Sequence, residues 1–269
     1  MQKKIIAVDL DGTALDKNEE LSHKTVNILQ KASQAGHIVS IITGRPYRIS
    51  SKYYKQIGIP NPIINFNGAW GHIPNHHWEK EYNKTFTKDI PLTILEKRKE
   101  LGIQVVAAET KDKVYANRPD DVLAGFFPSK LKPEQRLNSA NLKEEPTSTT
   151  LLVEKGQLAQ TAKKLKRLFG NEISVGVWGG PNPILELAPA GIDKAWGLEF
   201  LAEAFGVSIK DTIAFGDEHN DAVILKEAGL GVAMKNATAS IKNIADDITE
   251  YDNNHNGMAA YLANLLNLG

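Results

Sequence analysis

Residues 3–15 read KKIIAVDLDGTAL, and the rest of the fold can be worked out from this stretch. Its apolar run, residues 5–8, is short, continuous and closed by a turn signal, which is typical of a strand buried on both faces. Side chains two residues apart in an extended chain point the same way, so Asp9 and Asp11 both face one point beyond the strand. Gly12 lets the backbone turn sharply and approach a ligand. The stretch therefore predicts a ligand site at the carboxyl edge of an open α/β sheet.

The pair of aspartates also has a structural alternative. An aspartate that follows a strand often caps the next helix, and a single aspartate here would favour that role. Two aspartates at this spacing, followed by Gly12 and Thr13, favour a chemical role instead. The rest of the chain must then supply the other parts of a site.

Composition limits the classes of protein that remain. A chain of 269 residues is long enough for one large domain or two smaller ones. Its 32 basic and 32 acidic residues balance, which argues against nucleic acid or an anionic membrane as a partner. It contains no cysteine, which excludes disulfides, thiolate catalysis and thiolate metal sites. The N-terminal apolar run is too short for a signal peptide, and no apolar segment approaches the ~18 residues of a membrane span, so we expect a soluble cytoplasmic protein.

Strand and helix signals alternate at both ends of the chain. Buried strands are predicted at residues 5–8, 38–42, 62–66, 212–215 and 230–233. Helical patterns lie between these strands, and the first of them begins at Ser22, a suitable N-cap. This alternation predicts a parallel, doubly wound sheet to which both ends of the chain contribute.

The middle of the chain favours a separate α/β lobe. Antiparallel hairpins are predicted over residues 103–116 and 173–187, with helices at 91–101 and 158–169. The second hairpin is expected to turn at Gly179-Gly180-Pro181, and His72 is expected in a solvated loop before the lobe. We therefore predict a first core segment at residues 1–80, a cap domain at 81–189 and a second core segment at 190–269.

Three more clusters fall where the predicted sheet would bring them beside the first aspartate. Thr43 and Gly44 follow a strand, and a hydroxyl and free N–H groups at a helix N-terminus suit a phosphate. Lys194 lies in the first turn of a helix and opposes its dipole, which is unexpected unless an anion is near. Residues 216–221, GDEHND, place acidic side chains after another apolar strand. Taken singly, these clusters would be read as a helix cap, a solvated lysine and a capped turn.

Taken in order, the four clusters resemble the four motifs of the haloacid dehalogenase-like (HAD) hydrolases: DxDGT, a threonine, a lysine and GDxxND. The lobe lies between the threonine and lysine motifs, and its size and place resemble the C2-type cap of subclass IIB, the Cof-like sugar-phosphatase group. NGA at 67–69 and GVAM at 231–234 are similar to that group, whereas Lys235 stands where a glycine is usual. The resemblance implies a Rossmann-like doubly wound parallel sheet with an inserted α/β C2-type cap, whose closure excludes water.

The resemblance also implies an activity and the residues that carry it. The expected enzyme is a Mg²⁺-dependent phosphatase for small phosphomonoesters, with sugar phosphates as the first choice. Asp9 is the expected nucleophile and Asp11 the expected general acid–base. The expected metal ligands are the Asp9 and Asp217 carboxylates and the Asp11 backbone carbonyl. The expected phosphate-binding residues are Leu10, Thr43, Gly44, Lys194 and Asn220. Lys194 also counts as catalytic, and Asp221 is expected to orient it or to support the metal site.

Alternatives stay open at this point. A phosphomannomutase-like transferase shares the cap class and the nucleophile, and flavin mononucleotide or pyridoxal phosphate are alternative substrates for a phosphatase. A carbon–halogen dehalogenase needs neither Asp11 nor a metal, so the presence of Asp11 and Asp217 argues against it. A silent phospholigand-binding module is the non-enzyme alternative, which the complete motif set disfavours. The expected partner is a small phosphorylated metabolite, and the chain is expected to be a monomer or a small homo-oligomer.

Overall fold

The protein is described by a computed structural model over residues 2–122, 126–178 and 182–269. The chain divides into a core unit, Met1–Tyr82 with Asp193–Gly269, and an inserted unit, Asn83–Ile192. The turn expected at Gly179-Gly180-Pro181 lies outside the described residues.

Short strands and helices alternate through both units. In chain order the strands are β1 (Ile5–Val8), β2 (Ile38–Ile42), β3 (Ile63–Asn65), β4 (Trp70–His72), β5 (Tyr82–Asn83), β6 (Ile103–Glu109), β7 (Val114–Ala116), β8 (Ser148–Val153), β9 (Ile173–Val177), β10 (Ile184–Pro189), β11 (Thr212–Gly216), β12 (Leu230–Ala233) and β13 (Asp247–Ile248). The α-helices are α1 (His23–Gln34), α2 (Tyr47–Ile57), α3 (Asp89–Lys97), α4 (Leu158–Phe169), α5 (Lys194–Phe205), α6 (Ala222–Glu227), α7 (Ala239–Lys242) and α8 (Gly257–Leu266). None of the helices in the described ranges has both the length and the apolar character needed to cross a bilayer.

The sheet that contains β1 runs in the order β13-β12-β11-β1-β2-β3-β4-β5. Its pairs from β13 to β3 are parallel, whereas β4 returns antiparallel to β3. The chain moves outward from β1 through β2 to β3, and it resumes at β11 on the other side of β1. Ligands of such sheets bind where this order reverses, outside the carboxyl ends of the strands. The predicted doubly wound α/β fold is confirmed, and β1 lies at its point of reversal.

β1 holds the central position because its side chains are apolar on both faces. Residues Ile5–Val8 are each at most 1% exposed, as expected for a parallel strand covered on both sides by helices. The helix that follows begins where the sequence predicts, because the Ser22 hydroxyl accepts a hydrogen bond from the Thr25 backbone N–H. This cap satisfies an N–H group that has no partner within the helix.

The sheet of the inserted unit has the order β7-β6-β8-β10-β9, and its strand pairs are antiparallel. The central strand β8 joins the two predicted hairpins into one sheet. Leu151 packs in a cluster with Ile94 of α3 and Leu165 of α4, whereas its neighbour Leu152 packs with Val105 in a second cluster. Successive side chains of a strand point to opposite faces, so the sheet has apolar side chains on both.

His72 does not lie in a solvated loop, and that prediction is wrong. It ends β4, is 5% exposed, and stacks on the Trp70 ring with centroids 3.7 Å apart. Its Nε2 lies 3.2 Å from Oδ1 of Asn65. The edge of the Tyr47 ring also packs against His72. The strand has only three residues, one glycine between two ring side chains, which is too short to show an alternation of polar and apolar residues. The burial of His72 therefore could not be predicted from the sequence pattern and follows from its tertiary contacts.

Candidate active site

The chain leaves β1 at Asp9 and passes through a wide turn that only a glycine can complete. The backbone N–H of Leu15 donates to the carbonyl oxygen of Leu10 at 2.9 Å and closes the turn. Gly12 has a φ of 68°, and a β-carbon at this position would lie 2.1 Å from Oδ2 of Asp217. A side chain on residue 12 would therefore displace Asp217 as well as strain the backbone.

Three carboxylates meet beyond the ends of β1 and β11. Asp9, Asp217 and Asp221 are buried, and each offers a carboxylate oxygen within 4.8 Å of the others. Asp9 and Asp217 directly follow the parallel neighbours β1 and β11, which explains why residues from opposite parts of the chain meet. The Thr13 hydroxyl donates to Oδ1 of Asp217 at 3.1 Å. We call these three aspartates the acidic cluster.

Lys194, the first residue of α5, lies against the acidic cluster. Its side chain is 1% exposed, and its Nζ donates to Oδ1 of Asp9 and Oδ1 of Asp221, both at 2.6 Å. Asp193 caps the helix by accepting from the Trp196 N–H at 2.9 Å. A lysine at a helix N-terminus opposes the helix dipole, and here two carboxylates compensate for that.

Asp221 connects Lys194 to the loop that carries Asp217. Its Oδ2 accepts from the backbone N–H groups of Asp217 at 3.0 Å and Glu218 at 3.1 Å, while Oδ1 accepts from the lysine. A β-carbon on Gly216 would lie 2.4 Å from the β-carbon of Asp221, so the strand end must be glycine. Both carboxylate oxygens of Asp221 therefore accept hydrogen bonds. This is the arrangement expected of a residue that orients its neighbours.

Burial makes Asp9 and Asp217 costly to ionise. Loss of water contact, with a further contribution from the Asp221 charge, raises the pKa of Asp217 to about 7. Burial likewise raises the pKa of Asp9 well above its usual value, although Lys194 acts against this. Burial favours neutral Lys194, but Asp221 and Asp9 outweigh it and raise the lysine pKa. Negative charge in the cluster is thus only partly compensated, and a bound cation would stabilise it.

The donor atoms fit a hard divalent cation. The acidic cluster offers carboxylate oxygens at short mutual distances, and the chain has no cysteine to provide a soft ligand. Mg²⁺ prefers oxygen ligands and is commonly held by one or two carboxylates beside substrate phosphate. Asp9 and Asp217 therefore suit the ligand positions expected from the sequence.

Thr43, Gly44 and Asn220 are brought together through a residue that the sequence did not place in the site. Asn67 accepts on its Oδ1 from the Asn220 Nδ2 at 3.1 Å, and a β-carbon on Gly44 would lie 3.1 Å from the Asn67 amide nitrogen. The Thr43 side chain is fully buried, and its Oγ accepts from the Arg45 N–H at 3.1 Å. Asn67 has a φ of 50°, so an Asn-Gly pair directly after a strand was the signal that could have identified it.

Close packing also restricts Leu10, a member of the predicted site, and Gly68, which was not predicted as a site residue but packs against α5. The side chain of Leu10 is fully buried, so only its backbone can face a ligand. A β-carbon on Gly68 would lie 2.1 Å from the carbonyl oxygen of Asp193, so the turn after β3 packs tightly on the start of α5. This contact places Asn67 and Lys194 on adjoining pieces of backbone.

Asp11 is the predicted site residue whose side chain is engaged elsewhere. Its carboxylate receives two hydrogen bonds from Arg45, Nε to Oδ2 at 2.8 Å and Nη2 to Oδ1 at 2.5 Å. The Asp11 side chain is 54% exposed, whereas Arg45 is 4% exposed. Sequence reasoning assigned Arg45 no role, because an arginine after a strand has no distinctive pattern.

The carboxyl edge of the doubly wound sheet thus brings together a buried lysine and three buried carboxylates that could hold a metal ion. The profile of the haloacid dehalogenase-like hydrolase family matches residues 6–262. The chain therefore belongs to the haloacid dehalogenase-like hydrolases. The resemblance to this family is confirmed, as is the prediction of an enzyme of the phosphatase class.

Relatives with named activities cover the same length of chain. The 5-amino-6-(5-phospho-D-ribitylamino)uracil phosphatase YitU of Bacillus subtilis (strain 168) is 33% identical over 273 residues, 98% of each chain. The pyridoxal phosphate phosphatase YbhA of Escherichia coli (strain K12) is 28% identical and covers 97% of this chain and 98% of its own. The solved structure of the HAD subclass IIB sugar phosphatase BT4131 shares the fold, with a TM-score of 0.79 at 19% identity over 98% of this chain and 99% of that one.

Proposed function

We propose that this protein is a Mg²⁺-dependent phosphatase that hydrolyses small phosphomonoesters through an aspartyl-phosphate on Asp9. The observation that carries the proposal is the Asp9 carboxylate, buried at the end of β1 with Nζ of Lys194 at 2.6 Å. An anionic nucleophile and a phosphate repel each other: at ~4 Å and an effective dielectric constant of ~20, each pair of unit charges costs about 4 kcal/mol. A site for phosphate must therefore concentrate positive charge, and Lys194 supplies part of it.

The rest of that charge is assigned to a cation. The Asp9 and Asp217 carboxylates and the Asp11 backbone carbonyl are the proposed protein ligands. When bound, Mg²⁺ supplies positive charge next to the phosphate and lowers the repulsion that Asp9 meets.

The proposed reaction has two steps, formation and hydrolysis of an aspartyl-phosphate, and protein side chains act in both. Asp9 attacks phosphorus in line and the bond to the leaving oxygen breaks, while Asp11 donates a proton to that oxygen. Asp11 then takes a proton from the water that hydrolyses the aspartyl-phosphate. Donors hold the phosphoryl oxygens in both steps; we assign this role to Leu10 N–H, Thr43, Gly44 N–H, Lys194 and Asn220. Asp221 keeps Lys194 in place.

Sugar phosphates are the substrates we propose first, with flavin mononucleotide and pyridoxal phosphate as alternatives. The named relatives support a small phosphorylated metabolite, since they include phosphatases for a ribityl phosphate and for pyridoxal phosphate. We assign selection of the leaving group to the inserted unit, Asn83–Ile192, as the cap of the enzyme. A phosphomannomutase-like transferase is the second candidate, because it would use the same nucleophile.

A generic phosphatase assay separates these functions. We expect release of inorganic phosphate from p-nitrophenyl phosphate without any acceptor sugar, loss of release in EDTA, and recovery on addition of Mg²⁺. Release that requires an acceptor sugar would indicate the transferase, and no release under any of these conditions would indicate a binding module. A phosphate-release screen over a metabolite library then identifies the substrate.

The raised carboxylate pKa values predict how Mg²⁺ stabilises the protein. The Asp217 pKa is about 7 in the folded chain and near 3.8 in the unfolded chain. Protonated Asp217 therefore favours the folded state fully below pH ~4, and this stabilisation is lost as the pH rises to 7. Ionised carboxylates bind Mg²⁺, whereas protonated ones do not. We therefore expect Mg²⁺ to raise the melting temperature markedly at pH 8 and little at pH 5, measured by calorimetry against EDTA.

Asp217→Asn provides the control for this measurement. The variant removes one ligand and one buried charge, so it should be at least as stable as the wild type in EDTA and should gain little from Mg²⁺ at pH 8. An equal Mg²⁺ effect at both pH values, or an unchanged effect in the variant, would contradict the proposed metal site.

A further inference from the structure

Arg45 links the Asp11 side chain to the scaffold of the core unit. Its guanidinium forms a two-pronged contact with both oxygens of Asp11, at 2.8 Å and 2.5 Å. Such paired hydrogen bonds fix the direction of a carboxylate as well as its distance. The Asp11 side chain is otherwise half exposed, so this contact is what restricts its rotamers.

Arg45 is itself held from several sides. Its Nη2 lies 3.1 Å from Oε2 of Glu19, its Cζ lies 5.6 Å from the centre of the Tyr53 ring, and its carbonyl oxygen accepts from the Asn65 amide at 2.8 Å. Glu19 lies in a tight turn and has a φ of 57°. Its carbonyl oxygen accepts a hydrogen bond from the Tyr53 hydroxyl at 3.0 Å. The guanidinium therefore has little freedom, and the carboxylate that it holds has little as well.

We propose that Arg45, supported by Glu19, is a positioning residue for Asp11: it keeps hold of one carboxyl oxygen while the other, once protonated, turns from Arg45 to the leaving oxygen of the substrate. The inference rests on the proposed function, in which Asp11 protonates that oxygen. It adds that this proton transfer depends on an arginine that takes no part in the bond changes. The reaction needs the proton most when the leaving group is a poor one, so the need for Arg45 should rise in the same order.

The test compares three phosphates of similar size and decreasing leaving-group quality, namely 4-nitrophenyl, phenyl and benzyl phosphate. The measured quantity is kcat/KM, because it reports the steps up to departure of the leaving group. In the wild type, kcat/KM should vary little along the series. In Arg45→Met we expect a small loss on 4-nitrophenyl phosphate and a loss at least ~10-fold larger on benzyl phosphate, as in Asp11→Asn.

Further variants separate positioning from a general effect on structure. Arg45→Lys keeps the charge without the two-pronged geometry, so it should fall between wild type and Arg45→Met. Glu19→Gln changes an exposed side chain and should also lose more activity on benzyl than on 4-nitrophenyl phosphate, though by a smaller factor. This variant replaces Arg45→Met as the test if Arg45→Met does not fold. Lys24→Met, which removes an exposed basic side chain from α1 in the same core unit, is the control and should leave the series unchanged.

The double variant Asp11→Asn with Arg45→Met should be no slower on benzyl phosphate than Asp11→Asn alone, since both changes remove one function. Equal losses on all three substrates in Arg45→Met, or an additive double variant, would overturn the inference while the proposed function stands. If the wild type hydrolyses none of the three, the proposed function fails and the inference fails with it.

Discussion

Asp9→Asn is expected to lower kcat by ~10⁴-fold or more while the chain still folds. The amide has nearly the same shape as the carboxylate but cannot attack phosphorus, so no aspartyl-phosphate forms. The substitution should not destabilise the folded chain. Burial raises the pKa of Asp9, which means that the folded protein disfavours the charged form that the amide replaces. In metal-free buffer, the variant should therefore melt at the wild-type temperature or above it.

Asp221→Asn is the matched control for this substitution. Asp9 and Asp221 both accept from Nζ of Lys194 at 2.6 Å, yet only Asp9 is the proposed nucleophile. Rapid acid quenching of the wild type followed by peptide mass analysis should locate one phosphoryl group on the peptide that contains Asp9. Asp221→Asn should still form this adduct, more slowly, whereas Asp9→Asn should not. Near-normal turnover by Asp9→Asn, with deamidation and contaminating phosphatase excluded, would refute the nucleophile assignment.

Lys194→Met is expected to damage both catalysis and stability. The lysine is fully buried between two carboxylates, and loss of one member of a buried ion pair typically costs ~3–5 kcal/mol because the remaining charge has no partner. The phosphoryl oxygens also lose a positive donor, for which a loss of ~10²–10³ in kcat is typical. Urea unfolding and steady-state kinetics measure the two effects separately.

The pH and a second substitution test the cause of that instability. The cost of Lys194→Met should be smaller at pH 5 than at pH 8, because protonation of Asp9 and Asp217, whose pKa values are raised, removes uncompensated negative charge. Adding Asp221→Asn should recover part of the stability without recovering activity. Lys226→Met, on the exposed face of α6, should change neither. A Lys194→Met protein as stable as the wild type at pH 8 would contradict this account.

The parts of the site that the sequence predicts are those governed by strand order. Asp9, Thr43 and Asp217 each follow an apolar run, and parallel strands place such residues at one edge of the sheet. Lys194 opposes the dipole of its helix, but its position alone favours a solvated side chain, and only the resemblance to the lysine motif of the family placed it in the site. Local patterns and sheet geometry thus place the clusters at one edge, whereas the resemblance to the family motifs supplies the role of each residue.

The parts that the sequence did not predict depend on contacts between distant side chains. Nothing in the sequence around Arg45 indicates that it binds Asp11, because the pair forms only when two loops meet. Asn67 follows the strand predicted at residues 62–66 and belongs to the family-like NGA stretch, but neither pattern predicts its contact with Asn220, which lies 153 residues away in the chain. The central place of β8 in the inserted sheet was missed for the same reason, since antiparallel order is set by long-range pairing and not by strand propensity.

The place of β1 between β2 and β11 has a consequence for synthesis of the chain. Thr13 and Asp217, which share a hydrogen bond, are 204 residues apart. While the ribosome makes the inserted unit, β1 can pair with β2, but the opposite edge of this isoleucine-rich strand has no partner until β11 emerges. An open apolar edge of this kind readily pairs with other chains. Interrupted translation within the insert would thus release fragments that are inactive and prone to aggregate.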